Sequence, residues 1–331
     1  MSKPFAGQPC WIITDGKAGM DVQCIGIAHA LGARYELKHV TPHGIYRTLA
    51  PYGPVDPKER FAAPGTPFAP PFPPLAIATG RASIPYIRAL GRRAGLATYR
   101  LVLQDPKTRA GIADLIWVPE HDRRRGPNVI RTLTAPHSFT AERLSALRAR
   151  LPDWLTALPS PRVGVVLGGK NGVYRFTEAD DDRLQRCLHA LSELGASFLV
   201  TPSRRTHKRL IAAVEAATEG SPRVIWDGAG DNPYPQMLAG ADLLVVTADS
   251  VNMTGEACAT GKPVYVFSPS GGSPKFRRFH EALRRHGATR ALDEPLSRIE
   301  AWSYPPLDSA HTIAAEIEQR WMRRRATLGA A

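Results

Sequence analysis

The stretch Leu243-Leu-Val-Val-Thr-Ala-Asp-Ser-Val-Asn-Met-Thr-Gly-Glu-Ala-Cys-Ala-Thr-Gly-Lys-Pro-Val-Tyr-Val-Phe267 reads as strand, helix, strand. Asp242–Val246 and Val264–Phe267 are short apolar runs, and Asp249 or Ser250 can cap the helix between them. Neither run alternates with polar residues, so both strands are expected to be covered on both faces, as in a parallel sheet with crossover helices. The pattern extends outward from here. Arg162–Leu167, Ser197–Thr201 and Arg223–Trp226 are strand-like. Thr177 with Asp180 predicts a capping box, with Asp in place of Glu or Gln, opening a helix to about Leu194.

The first half repeats this alternation. Strands are expected at Cys10–Thr14, Tyr35–Val40, Leu75–Ala78, Leu101–Gln104, Leu115–Val118 and Val129–Leu133, with helices at about Asp21–Leu31 and Ile84–Arg93. PGTPFAPPFPP, residues 64–74, has six prolines in eleven positions and predicts a stiff excursion without regular structure. A helix over Ala141 to about Leu158 precedes a Pro159-Ser-Pro161 linker. A last helix, Ala310 to about Arg325, is basic at its C-terminal end. The expected fold class is α/β, with two doubly wound Rossmann-like domains. Residues 1–158 form one domain and 159–308 the other, and helix 309–326 returns to the first.

Composition narrows the function. The 331 residues are 43% hydrophobic and 22% charged, which excludes wholesale disorder and suits two domains. No apolar run is long enough to span a bilayer, and MSKPFAGQPC lacks a signal-peptide pattern. A cytoplasmic protein is expected. The net charge of +13 favours anionic partners, although solvated surface explains it equally well. The cysteines at 10, 24, 187 and 258 are scattered, which argues against a disulfide framework or structural zinc. Nucleic-acid binding rests on charge alone, with no recognised module, and is not expected.

Three glycine-containing loops follow strands: 14–19, 79–81 and 168–172. None has dinucleotide or triphosphate spacing, so each alone is a plain turn as readily as a phosphate loop. After the 242–246 strand, Asp249, Ser250 and Asn252 reach a helix start, where hydroxyls and N–H groups can hold a diphosphate. Glu256, further along that helix, can accept both hydroxyls of a ribose. The alternative is a helix cap with a solvated Glu256.

From Ser250 the pattern of a hydroxyl residue, Thr-x-Glu-Ala and Gly-x-Pro resembles the signature of GT-B glycosyltransferases, in particular the peptidoglycan N-acetylglucosaminyltransferase. That resemblance implies donor-binding roles for Ser250, Thr254 and Glu256, the last on the ribose. A wider set runs in order along the chain: Trp11–Gln23, Gly80-Arg81, Gln104-Asp-Pro106, Pro119–Asp122, Gly126–Val129, Ala135-Pro-His137, Gly168-Gly169, Ser203-Arg-Arg205 and Ala248–Val251. Together these resemble the "elongated mitochondria" fission-protein family. Its plant member recruits dynamin to mitochondria, and its bacterial members are GT-B-like and have carried the label of nucleoside-diphosphate-sugar epimerase.

The resemblance implies two GT-B domains facing across a cleft, and a nucleotide-diphosphate sugar as donor substrate rather than a resident cofactor. Gly168, Gly169 and Lys170 would line the diphosphate. Ser203 and Arg204 or Arg205 would supply a hydroxyl and a guanidinium, and Asp249, Ser250 and Asn252 would complete the cradle. Asp15 is the first candidate base, with Asp105, His121 and Asp122 next. His121 and His137 can equally be structural. No metal is required by this scheme, since no His/Asp cluster with convincing ligand spacing is read from the sequence. The expected function is a metal-independent glycosyltransferase acting on a cell-envelope or lipid-linked acceptor, peripheral at the inner membrane face. Phe61, Phe68 and Phe72 offer a route to membrane contact, and local packing is their other explanation. An epimerase or hydrolase, or an interaction protein without turnover, are the alternatives.

Overall fold

Apolar runs such as Trp11-Ile-Ile13, Ala76-Ile-Ala78 and Val163–Leu167 form strands with no solvent-facing side. The computed structural model describes residues 3–329, and contacts divide it into two units: residues up to Ser138 with those from Asp308 onward, and Phe139–Leu307.

The first unit runs β1 (Pro9–Thr14), α1 (Ala18–Ala30), β2 (Arg34–His39), α2 (Gly44–Leu49), β3 (Leu75–Thr79), α3 (Ile84–Ala94), β4 (Tyr99–Leu103), β5 (Leu115–Pro119) and β6 (Val129–Thr132). All pairings are parallel, in the order β2-β1-β3-β4-β5-β6. Alternate strand residues build separate cores on the two faces. Ile12, Ile77, Leu101 and Trp117 meet Cys24 and Ile27 of α1. Trp11, Ile13, Val102 and Ile116 meet Ile84, Ile87 and Leu90 of α3.

The proline-rich excursion joins this second core. Phe68 is fully buried, Phe61 stacks on it at 5.2 Å, and Phe72 meets the Trp11 ring edge-on. Lys38 Nζ lies 4.5 Å over the Trp11 ring and donates to the Pro67 carbonyl, fastening the excursion to β2. Phe68 therefore sits inside this core, and Phe61 and Phe72 pack against it while remaining half-buried. Among the described residues no helix is long and apolar enough to cross one.

The second unit runs α4 (Ala141–Arg148), α5 (Asp153–Thr156), β7 (Arg162–Leu167), α6 (Glu178–Glu193), β8 (Ser197–Pro202), α7 (Lys208–Ala217), β9 (Arg223–Ile225), α8 (Tyr234–Gly240), β10 (Leu243–Thr247), α9 (Val251–Cys258), β11 (Val264–Phe267), α10 (Pro274–Arg285) and β12 (Thr289–Ala291). Its sheet is also parallel, ordered β12-β11-β10-β7-β8-β9. The capping box forms: Thr177 Oγ1 accepts from the Asp180 N–H, and the Asp180 carboxylate accepts from the Thr177 N–H at 2.8 Å. The helix expected over 141–158 splits in two. Pro152 has no N–H to donate and disfavours helix at the residue before it, so α4 ends and α5 restarts from Pro152. Both short helices pack on α8, which places the division between units after Ser138 rather than after residue 158.

The closing helix α11 (Ser309–Gly329) packs on α1 and completes the first core with Ile313, Ile317 and Trp321. Ser309 and Thr134 share a buried hydroxyl hydrogen bond of 2.7 Å, and Arg324 pairs with Asp114 at 2.6 Å. Trp321 sits between Phe5 and Tyr99, with ring centroids at 5.3 and 6.2 Å. Trp321→Ala should destabilise the first unit by about 3 kcal/mol, the usual cost of an emptied aromatic site. Hydrogen exchange should show lost protection in β1–β6 and unchanged protection in β7–β12.

Candidate functional site

In a doubly wound sheet the strand-end crevice opens where the chain's progression reverses. In the first unit that point lies between β1 and β3, whose following loops carry Asp15 and Gly80-Arg81. A cavity of about 530 Å³ lies there, lined by Asp15, Lys17, Gly80, Arg81 and Gln104–Lys107. Gly80, with φ of +89°, lies against the Asp15 carboxyl group, a backbone conformation that a side chain would strain.

Asp15 Oδ2 accepts from the exposed Lys17 at 2.7 Å. Its Oδ1 is out of solvent and has no hydrogen-bond donor among the described residues. Asp105, in the same cavity, is differently placed. Burial acts to raise its pKa, but hydrogen bonds from Lys107 (2.8 Å) and Arg124 (2.6 Å) prevail and hold it at about 2. A carboxylate so stabilised is a weak proton acceptor at neutral pH, and its work here is to anchor Lys107 and Arg124. Gln104 and Lys107 flank it in left-handed backbone, φ of 67° and 57°, a strained arrangement of the kind that gathers at functional sites. His121 and Asp122 sit half-buried in the turn after β5 and do not line the cavity. Arg81 reaches the carbonyls of Thr48 and Ala50 and shapes the rim.

In the second unit the reversal falls between β7 and β10. The Asp249 carboxylate ties the two following loops together. It accepts from the Gly169 N–H at 3.0 Å, the Thr247 hydroxyl at 2.7 Å and Arg205 at 3.1 Å, while the Gly168 N–H donates to Thr247 Oγ1 at 2.7 Å. At Gly168 a Cβ would overlap that carboxylate, so only glycine permits the approach. The groups read from sequence as a phosphate cradle are therefore largely engaged with one another: Asp249, the Gly168 and Gly169 amides, and Arg205. Lys170 and Arg204 are exposed. Ser203 bonds Thr206 at 3.1 Å.

Ser250 caps α9, accepting from the Met253 N–H at 3.3 Å, and Asn252 lies half-buried in the first turn. The buried Thr254 hydroxyl donates to the Ser250 carbonyl at 2.8 Å, inside the helix. Glu256 is not solvated, and among the described residues it has no ion pair at close range. It is 8% exposed, and its Oε2 accepts from the Tyr234 hydroxyl at 2.7 Å. Burial pushes its pKa from 4.5 up to about 7, against the opposing pull of the Tyr234 hydroxyl and the Arg143 charge. Tyr234, 22 residues away, and Arg143 on α4 were not singled out from sequence. Nor was Arg124, because its role exists only through a long-range contact.

The model of the mitochondrial fission ELM1 family matches residues 18–321. The mitochondrial fission protein ELM1 of Arabidopsis thaliana is 29% identical over 277 residues, which are 76% of this chain and 65% of that protein. An uncharacterized protein of Rickettsia prowazekii, RP120, is 31% identical over 205 residues, 60% of this chain and 57% of that one. The chain thus spans less than two thirds of the length of these relatives. Among solved structures, the UDP-GlcNAc 2-epimerase of Methanocaldococcus jannaschii aligns over 94% of this chain and 99% of its own, with a TM-score of 0.54 and 11% identity. The likeness is one of fold, the two-domain α/β architecture of the GT-B class.

A carboxyl whose folded pKa lies above its unfolded one holds an extra proton in the native state, so stability falls as pH rises from about 4.5 to 7. Glu256→Gln removes that penalty. Its stability relative to wild type should improve by about 2 kcal/mol between pH 5 and pH 8, read by denaturant unfolding. A constant difference would show that Glu256 does not titrate in that range.

Proposed function

The chain belongs to the mitochondrial fission ELM1 family, and from that premise we propose that it is a nucleotide-sugar-dependent glycosyltransferase. Glu256 carries this reading. A nearly buried carboxylate with one hydroxyl partner and a raised pKa costs stability where it stands, which is the mark of a binding or catalytic group. Its chemistry suits the paired hydroxyls of a ribose, each donating to one carboxylate oxygen. The N-terminus of α9, with Ser250 and Asn252, adds a dipole favourable to a diphosphate. Lys170 and Arg204, exposed in the loops after β7 and β8, supply positive charge for the leaving group.

The acceptor reading rests on the first unit. Asp15 lines the strand-end cavity and is paired only through Oδ2 with an exposed lysine, whereas Asp105 is held down by its cations. In the reaction, an acceptor hydroxyl oxygen bonds to the anomeric carbon, the bond from that carbon to the diphosphate oxygen breaks, and Asp15 takes the hydroxyl proton. The +13 net charge supports an anionic acceptor, lipid-linked or membrane-borne. A second reading, an interaction protein without turnover, is favoured by the engaged amides of Gly168 and Gly169, which offer no donors to a phosphate as they stand.

Calorimetry against UDP, GDP, ADP, CMP and their sugar conjugates at low salt separates the two. The glycosyltransferase reading expects saturable binding of one nucleotide, weakened by about 1–3 kcal/mol in Glu256→Ala. The carboxylate form accepts the ribose hydroxyls, so affinity should rise from pH 6 to pH 8 in wild type and stay flat in Glu256→Gln. Asp15→Asn should keep donor binding and lose turnover. Binding of none of these ligands would favour the interaction protein.

A further inference from the structure

Beside the strand-end cavity at Asp15, with which it shares Tyr52, the first unit carries a basic cavity of about 630 Å³ between α3 and the segment after β4, well within the size range of small-molecule pockets. Arg88 and Arg92 of α3, Arg100 of β4 and Arg109 line it together with Tyr52 and Thr108. Among the described residues no carboxylate lines it.

The four cations are not equally compensated. Arg100 is forked onto Asp114, at 3.2 Å through both Nε and a terminal nitrogen, and Asp114 is shared with Arg324. Arg88 is spent on the carbonyls of Pro51, Tyr52 and Gly53, which accept its hydrogen bonds without cancelling its charge. Arg92 and Arg109 are exposed, and neither side chain makes an ion pair or hydrogen bond among the described residues. The Thr108 hydroxyl oxygen is out of solvent and without a hydrogen-bond partner. Three guanidinium charges without a carboxylate around one concave space, two of them with all their donors free among the described residues, constitute an anion site by charge and by donor count.

We propose that this cavity binds a phosphate-bearing ligand, a soluble phosphorylated molecule or a phospholipid headgroup, held by the forks of Arg92 and Arg109. Planar guanidinium groups match phosphate oxygens two at a time, which favours phosphate over a single-point anion such as chloride. Arg88, immobilised on backbone carbonyls, supplies fixed positive charge at the cavity wall. The site is independent of Glu256 and Asp15, and its ligand need not be a nucleotide.

The test uses the full chain with two probes: inorganic pyrophosphate by calorimetry, and phosphatidylcholine vesicles with and without phosphatidic acid by sedimentation. Arg92→Ala/Arg109→Ala is compared with Arg123→Ala/Arg323→Ala, which removes equal charge from exposed positions elsewhere in the same unit. All four side chains are exposed, so both variants should fold. The proposal expects affinity for at least one probe to fall about tenfold or more in the first variant and to change less than about twofold in the second. Selective loss for pyrophosphate identifies a soluble ligand, and selective loss for vesicles alone identifies a headgroup. Binding of neither probe, unchanged binding in the first variant, or equal losses in both would overturn it.

Discussion

A parallel strand buried on both faces has no side to give to water, and this constraint shapes both units. Strands such as Leu243–Thr247, buried at every position, need helices above and below. The crossovers that supply those helices force the sheet to grow outward from a central strand and then reverse. Each reversal leaves a crevice at the strand ends, between β1 and β3 in one unit and between β7 and β10 in the other. The candidate groups stand at these places because the topology leaves the backbone open there.

Two buried carboxylates in the second unit show how burial alone fails to identify a site. Asp249 and Glu256 are both raised in pKa by desolvation. Asp249 is surrounded by donors, and its work is to hold the loops after β7 and β10 together. Glu256 has one donor, on one oxygen, and keeps the other oxygen available to a ligand. In the first unit Asp105 and Asp15 divide in the same way: one is saturated by Lys107 and Arg124, and the other keeps an orphan oxygen. The count of partners, more than the depth of burial, separates the structural acid from the poised one.

The fold was legible wherever a strand was uniformly apolar. Arg162–Leu167 and Val264–Phe267 form strands over the residues that their composition marks. β12, Thr289-Arg-Ala291, was missed because three residues with an arginine at their centre carry no periodic signal and are a strand only by pairing with β11. Phe61, Phe68 and Phe72 sit among prolines that exclude regular structure, so sequence offered no face for them to join. Their place against Trp11 and Tyr86 is a tertiary fact. At the candidate site, residue types were legible and partnerships were not. Sequence located Glu256 on a helix after a strand, but the Tyr234 hydroxyl that holds it comes from another helix. The hydrogen bond from Arg124 to Asp105 likewise spans 19 residues, and with Lys107 it removes from Asp105 the basicity that its sequence context suggested.

The central claim is that the second unit holds a nucleoside diphosphate against α9 and Glu256. Hydrogen–deuterium exchange with and without saturating UDP, GDP, ADP and CDP tests it most directly. The account predicts that one of them slows exchange over residues 250–258 and in the loop at 168–172, with the first unit little changed. Unaltered exchange in both segments with all four nucleotides would contradict it.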